Sequence, residues 1–88
     1  MMLFVDETRE APAEVGWIVA RRIEDAKMLI MSYSISKMMI GRTLEDGAGS
    51  DLLHWLTKMR AKGRIKGKLI IEALDEDKDL KKLIKGTD

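Results

Sequence analysis

Two adjacent carboxylates, Asp6 and Glu7, are the first residues of the chain whose types could do chemistry. They follow a short apolar run, so we expect them at the carboxyl end of a buried strand, where ligands bind in open α/β sheets. Carboxylate oxygens are the ligands that Mg²⁺ prefers, and Glu72 could add a third one from a neighbouring strand end. The alternative is a solvated acidic pair that is neutralised by Arg9 or Arg42. We expect this second arrangement, without a metal or another cofactor.

A second candidate is a run of basic side chains at every second position, with no acid between them. It comprises Lys58, Arg60, Lys62, Arg64, Lys66 and Lys68. Such a run could contact the phosphates of a nucleic acid or another anion. A period of two does not lie on one helical face, however, and no aromatic residue is interleaved for base stacking. We therefore favour a solvated helix end and loop, and keep anion or nucleic-acid binding as the alternative.

Length and composition limit the classes of protein that this chain can form. Its 88 residues make one small domain, 1–88, with 45% hydrophobic and 35% charged residues, which is ordinary for a globular protein. A net charge of +1 provides no global field that would attract nucleic acid or a membrane surface. The chain has no cysteine, which excludes thiolate metal sites and a cysteine nucleophile and suits a cytoplasmic protein. We expect no membrane-spanning segment, because the apolar runs are far shorter than the roughly 18–20 residues that a span requires.

Hydrophobic periodicity predicts four strands and three helices in a mostly alternating order. The strands are expected at 2–5, 17–20, about 37–41 and 68–73, and the helices at about 22–33, from an N-cap at Ser50 to about 62, and after a cap at Asp75. This order predicts an α/β fold, a small three-layer domain whose four-stranded, mostly parallel sheet has helices on both faces. The first connection, 8–16, is too short for a helix. It is either a tight loop between parallel strands, which we expect, or the link of an antiparallel pair.

The connection from Gly41 to Ser50 is where a reaction would be expected, because it follows the central apolar strand that contains Met38, Met39 and Ile40. It is polar and rich in glycine, and it offers few groups that could react. The only histidine, His54, lies in the helix that follows, and without a nucleophile nearby it is weak evidence for acid–base catalysis.

Several short motifs resemble the receiver domains of response regulators, and most closely the short four-stranded branch called cyclic-phosphate processing receiver domains. The matching elements are a first strand ending in Asp6-Glu7, then Arg9, Pro12 and Gly16-Trp17, and a helix start with Gly49, Asp51, Leu53, Trp55 and Leu56. The resemblance spans nearly the whole chain. It implies a receiver (flavodoxin-like) fold and a phosphoacceptor site at the carboxyl end of the sheet.

The chain departs from that family at the residues that would react. The position of the phosphoacceptor aspartate falls on Gly41, and a second aspartate of the family loop falls on Thr43. The His-Ser pair that ends the last strand in the family falls on Glu72-Ala73. Glycine has no nucleophile, and alanine has no hydroxyl that could bond a phosphoryl oxygen. The resemblance therefore implies a pseudo-receiver with a vestigial acidic pocket formed by Asp6, Glu7, Arg9, Gly41, Arg42 and Glu72.

These observations favour a non-catalytic domain that binds a protein partner or a second copy of itself. The first alternative is a nucleic-acid or anion-binding protein that uses residues 58–68. The least favoured alternative is a hydrolase of phosphoesters with a metal ion at Asp6 and Glu7.

Overall fold

The computed structural model describes residues 1–87, which form six strands and three helices. The strands are β1 (Met2–Val5), β2 (Trp17–Ala20), β3 (Lys37–Ile40), β4 (Thr43–Leu44), β5 (Gly47–Ala48) and β6 (Ile70–Ala73). The helices are α1 (Ile23–Ser32), α2 (Gly49–Ala61) and α3 (Lys78–Gly86). Within residues 1–87, no helix is long and apolar enough to cross a bilayer.

Four strands form one parallel sheet in the order β2-β1-β3-β6, which confirms the predicted α/β class. The residues between β1 and β2 contain no helix, and the two strands pair in parallel from Met2 opposite Trp17 to Val5 opposite Ala20. The tight-loop prediction is therefore confirmed. Both apolar central strands, β1 and β3, lie inside the sheet, as continuous hydrophobic runs favour.

The helices do not cover both faces of the sheet, and this part of the prediction is wrong. Helix α2 contacts α1 on one side and α3 on the other, which places all three helices on one face. Right-handed connections explain the arrangement. The chain moves across the sheet in one direction from β2 to β3 and from β3 to β6, but in the opposite direction from β1 to β2. The only connection that belongs on the second face is thus the loop without a helix.

Alternation along the strands separates a packed face from an open one. Leu3, Val5, Met38 and Ile40 are fully buried on the helix-covered face, where they meet Leu52, Leu53 and Leu56 in one core. The opposite face, called the open face below, carries Met2, Phe4, Trp17, Val19, Lys37, Met39, Ile70 and Glu72. Phe4 is buried there, with its ring edge-to-face with Trp17 at 6.3 Å between centroids. Val19 and Ile70 are 41% and 50% exposed.

The predicted loop 41–50 contains an antiparallel hairpin, β4–β5, that the sequence pattern did not reveal. Asp46 at its turn accepts hydrogen bonds from the backbone N–H groups of Ile23, at 2.6 Å, and Glu24, at 3.3 Å. It thereby caps α1 from a distant part of the chain. The bond from Ile23 is the main reason why the pKa of Asp46 is held below its usual value.

The other helix caps differ by one or two residues from the prediction. Helix α2 begins at Gly49, and the carboxylate of Asp51 accepts from the N–H of Ala48 at 3.3 Å, so Ser50 is not the cap. Helix α3 is capped by Asp77, which accepts from the N–H groups of Asp79 and Leu80. Asp75 is therefore free for another role.

Candidate functional site

The ends of three parallel strands meet at the carboxyl edge of the sheet. The N–H of Gly41 donates to the carbonyl of Val5 at 2.8 Å, and that of Leu74 donates to Ile40 at 2.9 Å. These bonds align the segments that follow β1, β3 and β6. Between them lies a cavity of about 170 Å³ that is lined by Asp6, Glu7, Thr8, Arg9, Arg42, Thr43 and Asp75.

Asp6 is buried and faces back toward its own loop. Its Oδ2 accepts hydrogen bonds from the N–H groups of Thr8, at 3.1 Å, and Arg9, at 2.7 Å. Its Oδ1 lies 3.8 Å from Nη1 of Arg9. A buried carboxylate needs such donors, because removing its charge from water is costly unless it is paired. Asp6 thus shapes the start of the β1–β2 loop.

Gly41 lies against this carboxylate, at the position where the family resemblance places the phosphoacceptor. A Cβ added to Gly41 would overlap Oδ1 of Asp6 and would stand 3.0 Å from its Cγ. A side chain at position 41 would therefore force Asp6 out of its observed conformation. Glycine is needed here for the close approach of Asp6, since its φ is not positive.

Arg9 joins the loop after β1 to the loop after β6. Its Nη2 donates to Oδ1 of Asp75 at 2.5 Å, and the other oxygen of Asp75 accepts from the backbone N–H of Arg42 at 2.8 Å. The bond from Arg9 is the main reason why the pKa of Asp75 is lowered, followed by the bond from Arg42. The same bond raises the pKa of Arg9. A guanidinium thus lies between the two carboxylates, where it neutralises both.

A second arginine holds this arrangement from the neighbouring strand. Nη1 of Arg21 donates to the carbonyl of Asp6 at 3.3 Å and also to the carbonyl of Arg9. Arg21 follows β2, whose end lies beside the end of β1. We call Asp6, Arg9, Arg21 and Asp75 the carboxyl-end clamp. These residues connect the ends of β1, β2 and β6.

The structure gathers most of the predicted acidic pocket but excludes one member. Asp6, Glu7, Arg9 and Arg42 line the cavity, and Gly41 lies beside Asp6. The placement of Glu72 in this pocket is wrong. Glu72 lies within β6 on the open face, where it pairs with Lys37 at 3.3 Å. Strand alternation explains the difference, because successive side chains of a strand point to opposite faces of the sheet. Glu72 lies one residue before the end of β6, so its side chain points to the face opposite to that of the last residue.

Sequence reasoning missed Asp75 and Arg21. Asp75 looked like a helix cap, and the only signal against this was Asp77, an equally good cap two residues later. Arg21 carried a positional signal, because it directly follows a strand that pairs with β1. Within residues 1–87, no group of three or more His, Asp or Glu residues has a geometry that could hold a metal ion.

One member of the basic run, Arg60, is hydrogen-bonded within the fold. The guanidinium of Arg60 donates to the carbonyls of Thr87 and Gly67 at 3.0–3.1 Å, so it holds the loop after α2 to the end of α3. The other members are exposed, namely Lys58, Lys62, Arg64, Lys66 and Lys68. None of these five has a carboxylate within 4.0 Å among residues 1–87.

Comparison with protein-family models, curated proteins and solved structures finds no match to this chain. The resemblance to the receiver branch therefore stays a prediction.

Proposed function

We propose that this protein is a non-catalytic, receiver-like domain that acts by binding protein, and that the site where a receiver would accept phosphate has become a structural clamp. The observation that carries the proposal is the contact between Gly41 and Asp6. The acceptor position has no nucleophile, and the carboxylate of Asp6 fills the space that a side chain there would need.

The hydrogen bonds of the carboxyl-end clamp support the same proposal. A receiver-type reaction would need Asp6 to coordinate a cation, but its Oδ2 already accepts from two backbone N–H groups. Arg9 supplies the positive charge beside it and pairs with Asp75 as well. The proposal includes a cytoplasmic location, which a chain without cysteine suits.

The exposed apolar surface supports binding as the activity. Val19 and Ile70 are exposed on the open face, and Met28, Met31 and Tyr33 are 60%, 49% and 50% exposed at the end of α1. Val19 and Ile70 lie on opposite edge strands, whereas Met28, Met31 and Tyr33 are near one another in the chain, and neighbouring exposed apolar side chains are typical of interaction surfaces.

Intact-mass measurement after incubation with acetyl phosphate and Mg²⁺ tests whether the chain can accept a phosphoryl group. We expect no added phosphoryl group on the wild-type chain, whereas a receiver domain with its aspartate intact serves as the positive control in the same reaction. A stable phosphoryl adduct that maps to residues 41–51 would contradict the proposal.

A second candidate function, anion or nucleic-acid binding, is favoured by five exposed cations of the run 58–68 that have no carboxylate partner within residues 1–87. Fluorescence anisotropy with a labelled oligonucleotide tests it. If phosphate contacts drive binding, affinity should fall steeply with salt, and Lys62→Glu or Lys66→Glu should weaken it. We expect no binding at physiological salt, and a salt-dependent affinity that these variants abolish would favour the second candidate instead.

A further inference from the structure

Among residues 1–87, strand β6 is the last strand of the sheet and has a free edge. It pairs with β3 alone, and the N–H groups of Ile70 and Leu74 donate to carbonyls on the β3 side at 3.0 and 2.9 Å. Because successive residues of a strand direct their backbone groups to opposite sides, Leu69 and Ile71 direct theirs away from β3. An edge of this kind is a template for pairing with another strand.

The space beside this edge is open. A groove of about 310 Å³ lies there, lined by Arg60, Lys68, Leu69, Ile70 and Ile71. Half of the Ile70 side chain is exposed, although isoleucine is ordinarily buried. Backbone donors, backbone acceptors and apolar side chains are thus all accessible at the same place.

The side chains along β6 are complementary to themselves. Ile70 and Glu72 occupy alternate positions on the open face, and Lys68 precedes β6 by two residues, which is the next position of the same alternation if the strand is extended. If a second copy of β6 ran antiparallel with Ile70 opposite Ile70, Lys68 of each copy would lie opposite Glu72 of the other. The same register places Leu69 opposite Ile71, so that the outward backbone groups meet as hydrogen-bonded pairs. Side-chain charge and backbone geometry therefore select one register.

The charges needed for this pairing are accessible. Lys68 is exposed and has no carboxylate within 4.0 Å among residues 1–87. Glu72 is 50% exposed and pairs with Lys37 at 3.3 Å, and its second oxygen can accept from another cation. The other edge strand, β2, offers no such match, because Trp17–Ala20 contains no charge and is followed by two arginines.

We propose that two copies of this chain pair through β6, antiparallel about a two-fold axis at Ile70, and so form a continuous eight-stranded sheet. This inference rests on the proposed binding function and names its partner as a second copy. The two-fold axis limits the assembly to a dimer, because each copy uses its β6 edge and presents no second edge of this kind among residues 1–87. In this register Ile70 of each copy lies against Ile70 of the other on the open face.

Multi-angle light scattering of the full chain, over a roughly hundred-fold concentration series, tests the proposal. We expect a mass of twice 10.0 kDa for the wild type. Lys68→Glu and Glu72→Lys each place like charges opposite one another at both ends of the pair, and each should raise the dissociation constant at least roughly ten-fold. An equimolar mixture of the two variants restores opposite charges at both positions and should form a heterodimer.

Lys66→Glu is the matched control, because it reverses an exposed charge just before the strand and should leave the dimer intact. Circular dichroism establishes that all variants are folded. A wild-type mass of 10.0 kDa throughout the series, or a dimer that persists in both single variants, would overturn the proposal. Those results would not affect the proposal of a non-catalytic clamp, whereas a phosphoryl adduct would refute the clamp without changing the oligomeric state found by light scattering.

Discussion

At the carboxyl end of the sheet, the two carboxylates nearest to Gly41 are satisfied within the chain, whereas along β6 the outward backbone groups face a groove. Asp6 and Asp75 each accept backbone N–H bonds and share Arg9. On the side away from β3, Leu69 and Ile71 have no strand beside them among residues 1–87. Polar groups that are paired internally stabilise the fold, and those left unpaired at an edge are available to a partner. The two regions therefore differ in whether their polar groups are paired within the chain, and the two proposals above rest on this difference.

The largest expected effect tests the core that both regions share. Ile40 is fully buried at the end of β3, between the clamp and β6. Ile40→Asp would bury an unpaired charge at a cost of several kcal/mol, compared with a total stability of about 5–8 kcal/mol for a domain of this size. The variant should be largely unfolded by circular dichroism. Ile70→Asp is the matched control, because Ile70 is half exposed, and it should stay folded. A cooperative melt of Ile40→Asp at the wild-type temperature would show that β3 is not a core strand.

The next effect tests whether Asp6 and Gly41 share one space. Gly41→Ala should destabilise the fold by about 1–3 kcal/mol in chemical denaturation, because the added methyl overlaps the Asp6 carboxylate. In an Asp6→Ala background the same substitution should cost less, since the overlapping oxygen is gone. Gly86→Ala is the control, because a Cβ there meets no atom of the described residues within 4 Å. If the loss of stability in the double variant equals the sum of the losses in Asp6→Ala and Gly41→Ala, the two residues do not share one space.

A smaller effect tests the pairing of Arg9 with Asp75 through pH. The pKa of Asp75 is lowered in the folded protein, so its stabilising contribution is present above its ordinary value of 3.8 and is lost as the pH falls through the folded pKa. The gap in stability between the wild type and Asp75→Asn should therefore be largest near neutral pH and should shrink below about pH 4. Urea denaturation across this range measures it. Glu10→Gln changes an exposed carboxylate of the same loop and should show no comparable pH-dependent gap. A gap for Asp75→Asn that does not depend on pH would refute the ion pair.

The smallest expected effect is the response to Mg²⁺. Because Arg9 already neutralises Asp6, millimolar Mg²⁺ should shift the melting temperature by less than about 1 °C, since a ligand stabilises only in proportion to its binding to the folded state. Asp6→Asn should itself cost no more than about 1–2 kcal/mol. A rise of several degrees with Mg²⁺ that Asp6→Asn abolishes would restore a metal site. The carboxyl end would then be a reaction centre, and the contrast with β6 would disappear.

The sequence by itself determined the α/β class, the parallel sheet and the bounds of most elements. Periodicity sufficed for these, because β1 and β2 match their predicted ranges and α1 differs by one residue at each end. The acidic pair at the end of β1 also followed from the residue types, whereas the placement of a phosphoacceptor position on Gly41 is what the family resemblance implies. Local patterns report burial, and burial is what defines a strand or a helix in a small domain.

Only the tertiary structure decided which distant groups meet. Asp75 and Arg21 enter the clamp, and Glu72 leaves it, because of where each lies relative to the end of its strand. The placement of all helices on one face depends on the direction in which each connection crosses the sheet. The same topology leaves β6 at an edge and so exposes a self-complementary strand. These outcomes depend on strand order and long-range hydrogen bonds, which the spacing of residues along one chain does not encode.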